Sequence, residues 1–169
     1  MPTAKTRTIA RPTHQLIEDV FRELIRTQGL HERVMQPCFA RFGISGSQWG
    51  ILRTLHRAEG EGLHGLRQTD LSERLLIRPP SVTGALERLE RAGLVTRVGS
   101  TTDLRAKQVA LSDAGRQLIE RALPGRLAQI DTIMGGLSTS DQEELRRLLG
   151  MLRERLEQML VRGAVANIG

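Results

Sequence analysis

A chain of 169 residues that is 39% hydrophobic and 26% charged has room for one domain with a full core, or for a small domain with added association helices. Aromatic residues are only 2% of it, with three Phe, one Trp and no Tyr, which argues against RNA or single-strand binding on stacking platforms and leaves an aliphatic core. The net charge of +6 is concentrated: residues 1–12 and 67–111 carry +3 each, while 13–66 and 112–169 are balanced, the asymmetry a phosphate-binding surface requires.

Residues 1–12 are polar, contain two prolines and show no periodicity, so they read as a flexible basic arm. Thr13 offers a cap for a helix whose stripe is Leu16, Ile17, Val20, Phe21, Leu24 and Ile25. Gly29 is expected to interrupt that helix. The pattern resumes at Leu30, Val34, Met35, Cys38, Phe39 and Phe42, with Pro37 as a kink and Gly43 as the end. Ser45 and Ser47 offer caps for a short helix over 48–58 that packs Trp49, Leu52 and Leu55. Residues 59–65 hold three glycines and read as a loop, with 63–66 a candidate for one short strand.

Gln68 or Thr69 starts a helix carrying Leu71 and Leu75, and the link Leu76-Ile77-Arg78 leads into Pro79. Proline is tolerated there because the first N–H groups of a helix have no intrahelical partner. Val82, Leu86 and Leu89 line one side of the helix over 79–92, and Ser81, Gly84, Arg88 and Arg91 line another. Gly93 closes it in the left-handed conformation. Residues 95–98 and 108–111 are strand-like, joined by a polar stretch with Asp103, Arg105 and Lys107. Two short helices with a tight link, then a charged hairpin, have the geometry of a helix-turn-helix with a wing. A major groove and its neighbouring minor groove require such a pair, so double-stranded DNA is the expected partner.

Ser112 caps a long helix with Ala114, Leu118, Ile119, Ala122, Leu127, Ile130 and Ile133 on one side, which Pro124 should bend or split. After Gly135-Gly136, Leu137 and Ser138 supply a staple and a cap, with Asp141 as the reciprocal acid. The last helix, 139–161, spaces Leu145, Leu148, Leu149, Leu152, Leu156 and Met159 at three and four; a tail follows. The apolar sides of the two terminal helices exceed what so small a domain needs. They either pair within the chain or form a homodimer.

The run from Leu66 to Leu118 resembles the winged helix-turn-helix of MarR-type (multiple antibiotic resistance regulator) transcriptional regulators. The resemblance lies in Leu71-Ser72-Glu73, in Ser81-Val82-Thr83, and in Leu86-Glu87-Arg88-Leu89-Glu90-Arg91-Ala92-Gly93-Leu94-Val95. It continues through the wing Asp103-Leu104-Arg105-Ala106-Lys107 and the exit Val109-Ala110-Leu111-Ser112-Asp113-Ala114-Gly115-Arg116. With the flanking helices it covers roughly residues 13–160. It implies a mainly α fold, a winged domain with its DNA-binding part at 63–111, and dimerisation helices at about 13–42 and 113–161. It also implies a homodimeric regulator, a repressor on a pseudo-palindromic promoter site, released by a small aromatic or anionic effector. One departure is visible: the family's wing usually has two adjacent arginines after the aspartate, and here Leu104 replaces the first.

The residues assigned to DNA binding are Arg78, Ser81, Thr83, Gly84, Arg88, Asp103, Arg105 and Lys107, of which Asp103 is not a direct contact. Ser81, Thr83 and Gly84 occupy the first exposed turns, within reach of base edges. Ser81 has end-capping as its alternative, and Gly84 permits close approach either to DNA or to the preceding helix. Arg78, Arg88 and Lys107 suit phosphates; Arg91 fits a solvated face equally well. Arg105 suits the minor groove, with Asp103 bracing it or shaping the turn, a reading that leans on the resemblance. His31, Met35 and Trp49 are candidates for lining an effector crevice, although each also fits simple core packing.

Cys38 lies among Met35, Phe39 and Phe42 and reads as an inert thiol, since peroxide-sensing relatives place theirs at the equivalent of about Phe21. As the only cysteine it forbids an internal disulfide, and no apolar run approaches a membrane span or a signal-peptide core, so a cytoplasmic location without membrane contact is expected. His14, His31, His56 and His64 lack metal-ligand spacing, and no phosphate-cradling glycine loop or nucleophilic triad is present. No catalysis, metal or cofactor is therefore expected. Two rivals stay open: a structural protein binding DNA without sequence preference, and a winged helix that binds proteins instead.

Overall fold

A computed structural model describes residues 13–99 and 107–161. The basic arm 1–12, the hairpin tip 100–106 with Asp103 and Arg105, and the tail 162–169 lie outside the described residues. The helices are α1 (His14–Ala40), α2 (Gly46–Gly60), α3 (Gln68–Leu75), α4 (Pro79–Arg91), α5 (Asp113–Met134) and α6 (Thr139–Val161); β1 (Val95–Gly99) and β2 (Lys107–Leu111) are the strands. The chain divides into two compact units, residues 1–122 and 123–169.

Most helix starts follow from short polar side chains. Thr13 Oγ1 accepts from the Leu16 N–H at 3.4 Å. Ser45 and Gln48 satisfy each other's backbone donors at 3.3 and 2.8 Å. Ser112 Oγ accepts from the Gly115 N–H at 3.0 Å, and Ser138 from the Asp141 N–H at 3.2 Å. Each such cap contributes about 1 kcal/mol. α3 differs: Asp70, inside its first turn, accepts from the Arg67 N–H at 3.0 Å and from the Arg67 guanidinium at 3.1 and 3.3 Å.

Gly29 does not interrupt its helix, and Pro124 does not split its own. α1 runs unbroken past Gly29 and through Pro37, and α5 runs through Pro124. A glycine costs a helix only about 1 kcal/mol, less than the many favourable turns on either side contribute. α2 extends to Gly60, beyond the expected 48–58, so its last turn uses part of the expected loop.

Within residues 1–122 the core is aliphatic. α2 contributes Trp49, Ile51, Leu52, Leu55 and Ala58, α3 contributes Leu71, and α4 contributes Val82, Ala85, Leu86 and Leu89. Met35 and Phe39 bring the end of α1 onto α2, where Phe39 stacks on Trp49 with ring centroids 5.6 Å apart. Val95 pairs with Leu111 and Gly99 with Lys107 in the antiparallel hairpin. The candidate strand at 63–66 reduces to Leu66, which exchanges two hydrogen bonds with Val109 at 3.0 and 2.8 Å.

α5 enters this unit through a tight joint. Ser112 Oγ donates to the Gly93 carbonyl at 2.6 Å, and the Ser112 N–H donates to the Leu94 carbonyl at 3.2 Å. Gly93 itself has φ +67°, the left-handed conformation that stops α4. A Cβ at position 115 would run into the Leu94 carbonyl oxygen, so only glycine fits the first turn of α5. Arg116 then reaches Glu59, 57 residues earlier, at 2.8 and 3.2 Å, and that partner, with Asp113, raises the guanidinium pKa further.

Residues 123–161 stand apart in burial. Gln142 Nε2 closes the turn before α6 by donating to the Met134 and Leu137 carbonyls at 3.2 and 3.1 Å. No described residue there is buried. Leu145, Leu148, Leu149, Leu152, Leu156 and Leu160 are all exposed.

Candidate nucleic-acid interface

α4 has one face buried against α2 and α3 and one face open. Arg78 is its N-cap, in extended conformation, and Pro79 and Pro80 form the first turn without N–H groups to satisfy. Ser81 is exposed, and among the described residues its hydroxyl has no hydrogen-bond partner; the cap position belongs to Arg78, so the capping alternative for Ser81 fails. Gly84 is resolved too. An added Cβ would meet nothing but the Arg88 guanidinium at 3.7 Å, so packing on α3 does not require glycine there.

Thr83 is committed elsewhere. Its hydroxyl donates to the Pro79 carbonyl at 3.0 Å and lies 2.5 Å from Gln68 Nε2, which donates to it. That bridge sets α3 against α4 and occupies the hydroxyl's donor and one of its two acceptor lone pairs. The link before α4 is equally constrained. Ser72 Oγ donates to the Ile77 carbonyl at 2.7 Å, and Leu76 holds φ +53° with its side chain 75% exposed.

The cations of this segment sort by partner. Arg67 pairs with Asp70, Arg74 with Glu61 and Arg97 with Glu90, at 3.0 to 3.1 Å. Arg91 Nε donates to the Glu87 carbonyl at 3.3 Å. Arg78, Arg88 and Lys107 are exposed and, among the described residues, have no carboxylate partner. The charge left over for a phosphate therefore lies at the two ends of α4 and at the base of the hairpin. Asp103 and Arg105, expected at the wing tip, lie outside the described residues.

The three candidates for an effector crevice differ in exposure. Met35 and Trp49 are 1% and 4% exposed inside the core of residues 1–122, and His31 is exposed on α1. A ligand reaching Trp49 would have to displace its stacking partner Phe39. Cys38 is half-buried. Sequence reasoning missed the Gln68–Thr83 bridge and the Glu59–Arg116 pair, which join residues too far apart in the chain to carry a local signal. Gly115 was legible in principle, as a glycine inside a first helical turn where alanine would be the better helix former.

Residues 42–106 match the MarR family. Over 138 residues, 82% of this chain and 81% of the relative, the sequence is 31% identical to the HTH-type transcriptional repressor YetL of Bacillus subtilis (strain 168). The chain belongs to the MarR family. Among solved MarR structures, Sco3205 from Streptomyces coelicolor, a MarR family transcriptional regulator in complex with DNA, superposes with a TM-score of 0.76 at 25% identity, covering 87% of this chain and 91% of that one. AbsC, a MarR family transcriptional regulator from the same organism, reaches 0.77 at 21% identity, covering 88% and 99%, a likeness of fold. The mainly α winged helix expected from the sequence is thus the MarR fold, and the chain is a transcriptional regulator of that family. Its named MarR relatives are regulators, not enzymes. No described helix is long and apolar enough to cross a membrane.

Proposed function

We propose that this chain is a homodimeric transcriptional repressor that reads a pseudo-palindromic promoter site, lays α4 in the major groove and reaches the minor groove with its hairpin tip. The observation that carries this reading is α4 itself: one face is core, and the other presents Ser81, Gly84, Arg78 and Arg88 with nothing inside the described residues to occupy them. Residues 63–111 are the DNA-contacting part, and about 13–42 and 113–161 the dimer helices. The exposed leucines of α6, and Ile17, Val20, Phe21 and Ile25 on α1, supply the apolar surface that a second copy would cover. Two such copies would set their recognition helices about 34 Å apart, one turn of duplex.

Arg105, braced by Asp103, is assigned to the minor groove, and Arg78, Arg88 and Lys107 to phosphates. Related proteins support the rest: a homoprotocatechuate degradative operon repressor of Escherichia coli is 36% identical over 52% of this chain, and the PcaV regulator of Streptomyces coelicolor was solved with its natural ligand. Release by a small aromatic or anionic effector follows if that ligand prefers a spacing of recognition helices that DNA does not accept. The protein then acts in the cytoplasm, without catalysis.

Binding of duplex promoter DNA against random competitor tests the reading. Arg88→Ala is expected to weaken binding on all sequences and to lower the slope of log K against log salt by about one. Equal displacement by random and promoter DNA would favour a non-specific structural protein. An unchanged affinity in both Arg88→Ala and Arg105→Ala would favour a protein-binding winged helix.

A further inference from the structure

We propose that Glu87 is a base-reading residue, its carboxylate accepting a hydrogen bond from the exocyclic amino group of cytosine in the major groove. The inference rests on the reading of α4 as the groove-facing helix. Val82, Ala85, Leu86 and Leu89 define the buried side of that helix. At about 100° per residue, the line farthest from the core is then held by Pro80, Gly84, Glu87 and Arg91, with Ser81 and Arg88 flanking it. Pro80 has no polar side chain, Gly84 has none at all, and Arg91 is folded back on the Glu87 carbonyl at 3.3 Å. Glu87 is exposed, and among the described residues its carboxylate has neither a hydrogen bond nor an ion pair. Glu90, three residues on, is tied to Arg97 at 3.1 Å.

A carboxylate between phosphates opposes binding unless its position returns something specific. Two features make it tolerable here. Arg88 and Arg91 stand on the same and the next turn, and Gly84, one turn before, removes the side chain that would hold the helix axis off the bases. The choice of base follows from donor and acceptor chemistry. A carboxylate only accepts, so guanine O6 and N7 and thymine O4 repel it. Adenine sets its N7 acceptor beside N6, whereas cytosine presents the N4 amino group alone. Cytosine is therefore the base that Glu87 selects.

The test is selection of the full-length protein and its Glu87→Gln variant on one pool of randomised double-stranded DNA. The amide keeps the shape, removes the charge and adds a donor. The expected result is a cytosine in each half-site for the wild type, with replacement of that base weakening binding by about tenfold. In E87Q that preference disappears or moves to adenine, while the other positions keep theirs. Identical base profiles for the two proteins would overturn the proposal. So would an E87Q that binds every sequence more tightly with an unchanged profile, since Glu87 would then be only a repulsive charge. A wild type that enriches no duplex sequence would remove the underlying DNA reading instead, and this inference with it.

Discussion

Residues 44–122 and 123–160 are both rich in leucine, yet one stretch buries its apolar side chains and the other does not. In the first, Leu52, Leu55, Leu71, Leu86 and Leu89 are at or below 1% exposure. In the second, the leucines of α6 recur at the same helical spacings and stay between 38% and 61% exposed. α1 makes the same contrast within one helix, bare at Ile17, Val20 and Phe21 and buried at Met35 and Phe39. Periodicity reports that a face is apolar; it does not report whether the covering surface comes from the same chain. The contrast separates the part that one chain covers by itself from the part that, on the function proposed above, a second copy covers.

The sharpest way to break the comparison is at the joint where α5 meets the core. Gly115→Ala is expected to abolish folding of the winged unit or cost several kcal/mol, because the clash is with backbone and cannot be relieved by a side chain. Gly125→Ala, where an added Cβ meets nothing within 4 Å, should be neutral or stabilising by up to about 1 kcal/mol. Urea unfolding of both variants decides the matter. Equal stabilities would show that the joint at Leu94 is looser than its geometry indicates.

The exposed stretch is tested by charge. Leu148→Glu combined with Leu152→Glu should halve the solution mass while leaving the winged unit folded, since neither side chain belongs to its core. Linked half-site binding is then lost, and affinity for a palindromic duplex should fall by about a hundredfold or more. Sedimentation gives the mass and titration the affinity; a mass that stays at two subunits would move the dimer surface off α6.

A smaller effect belongs to the start of α3. The hydrogen bonds from the Arg67 guanidinium hold the Asp70 carboxyl below its ordinary pKa, against a partial desolvation that pushes the other way. A carboxyl lowered in the folded state stabilises the fold above its unfolded pKa, near 3.9, and that stabilisation is lost as pH falls through the lower folded value. Asp70→Asn should therefore cost about 0.5–1 kcal/mol at pH 7, with Arg67 largely exposed to screening solvent. The difference from wild type should shrink below pH 4. Thermal melts across pH 3–7 would refute this if the gap stayed constant.

The smallest change expected is a gain. Leu76 adopts a left-handed conformation that disfavours a side chain like leucine, and its exposure leaves little burial to lose. Leu76→Asn should stabilise the protein by about 0.5 kcal/mol, seen as a small rise in the urea midpoint. A loss of stability would mean that the turn, like the core, depends on the leucine side chain.

Local chemistry determined much of this protein in advance. Thr13, Ser45, Ser112 and Ser138 cap their helices as their positions announce, because a cap needs only one hydroxyl and the next turn of backbone. The buried face of α4 and the strands of the hairpin were legible for the same reason, and so was the exposed placement of Ser81 and Arg88. Long-range geometry decided the rest. That Thr83 bonds Gln68, that Met35 and Trp49 are buried in the core to 1% and 4% exposure, and that Gly29 and Pro124 do not split their helices all depend on neighbours distant in the chain or on summed packing. A single sequence carries short-range preferences of about 1 kcal/mol each, and tertiary contacts, being larger in sum and set by shape, choose among them.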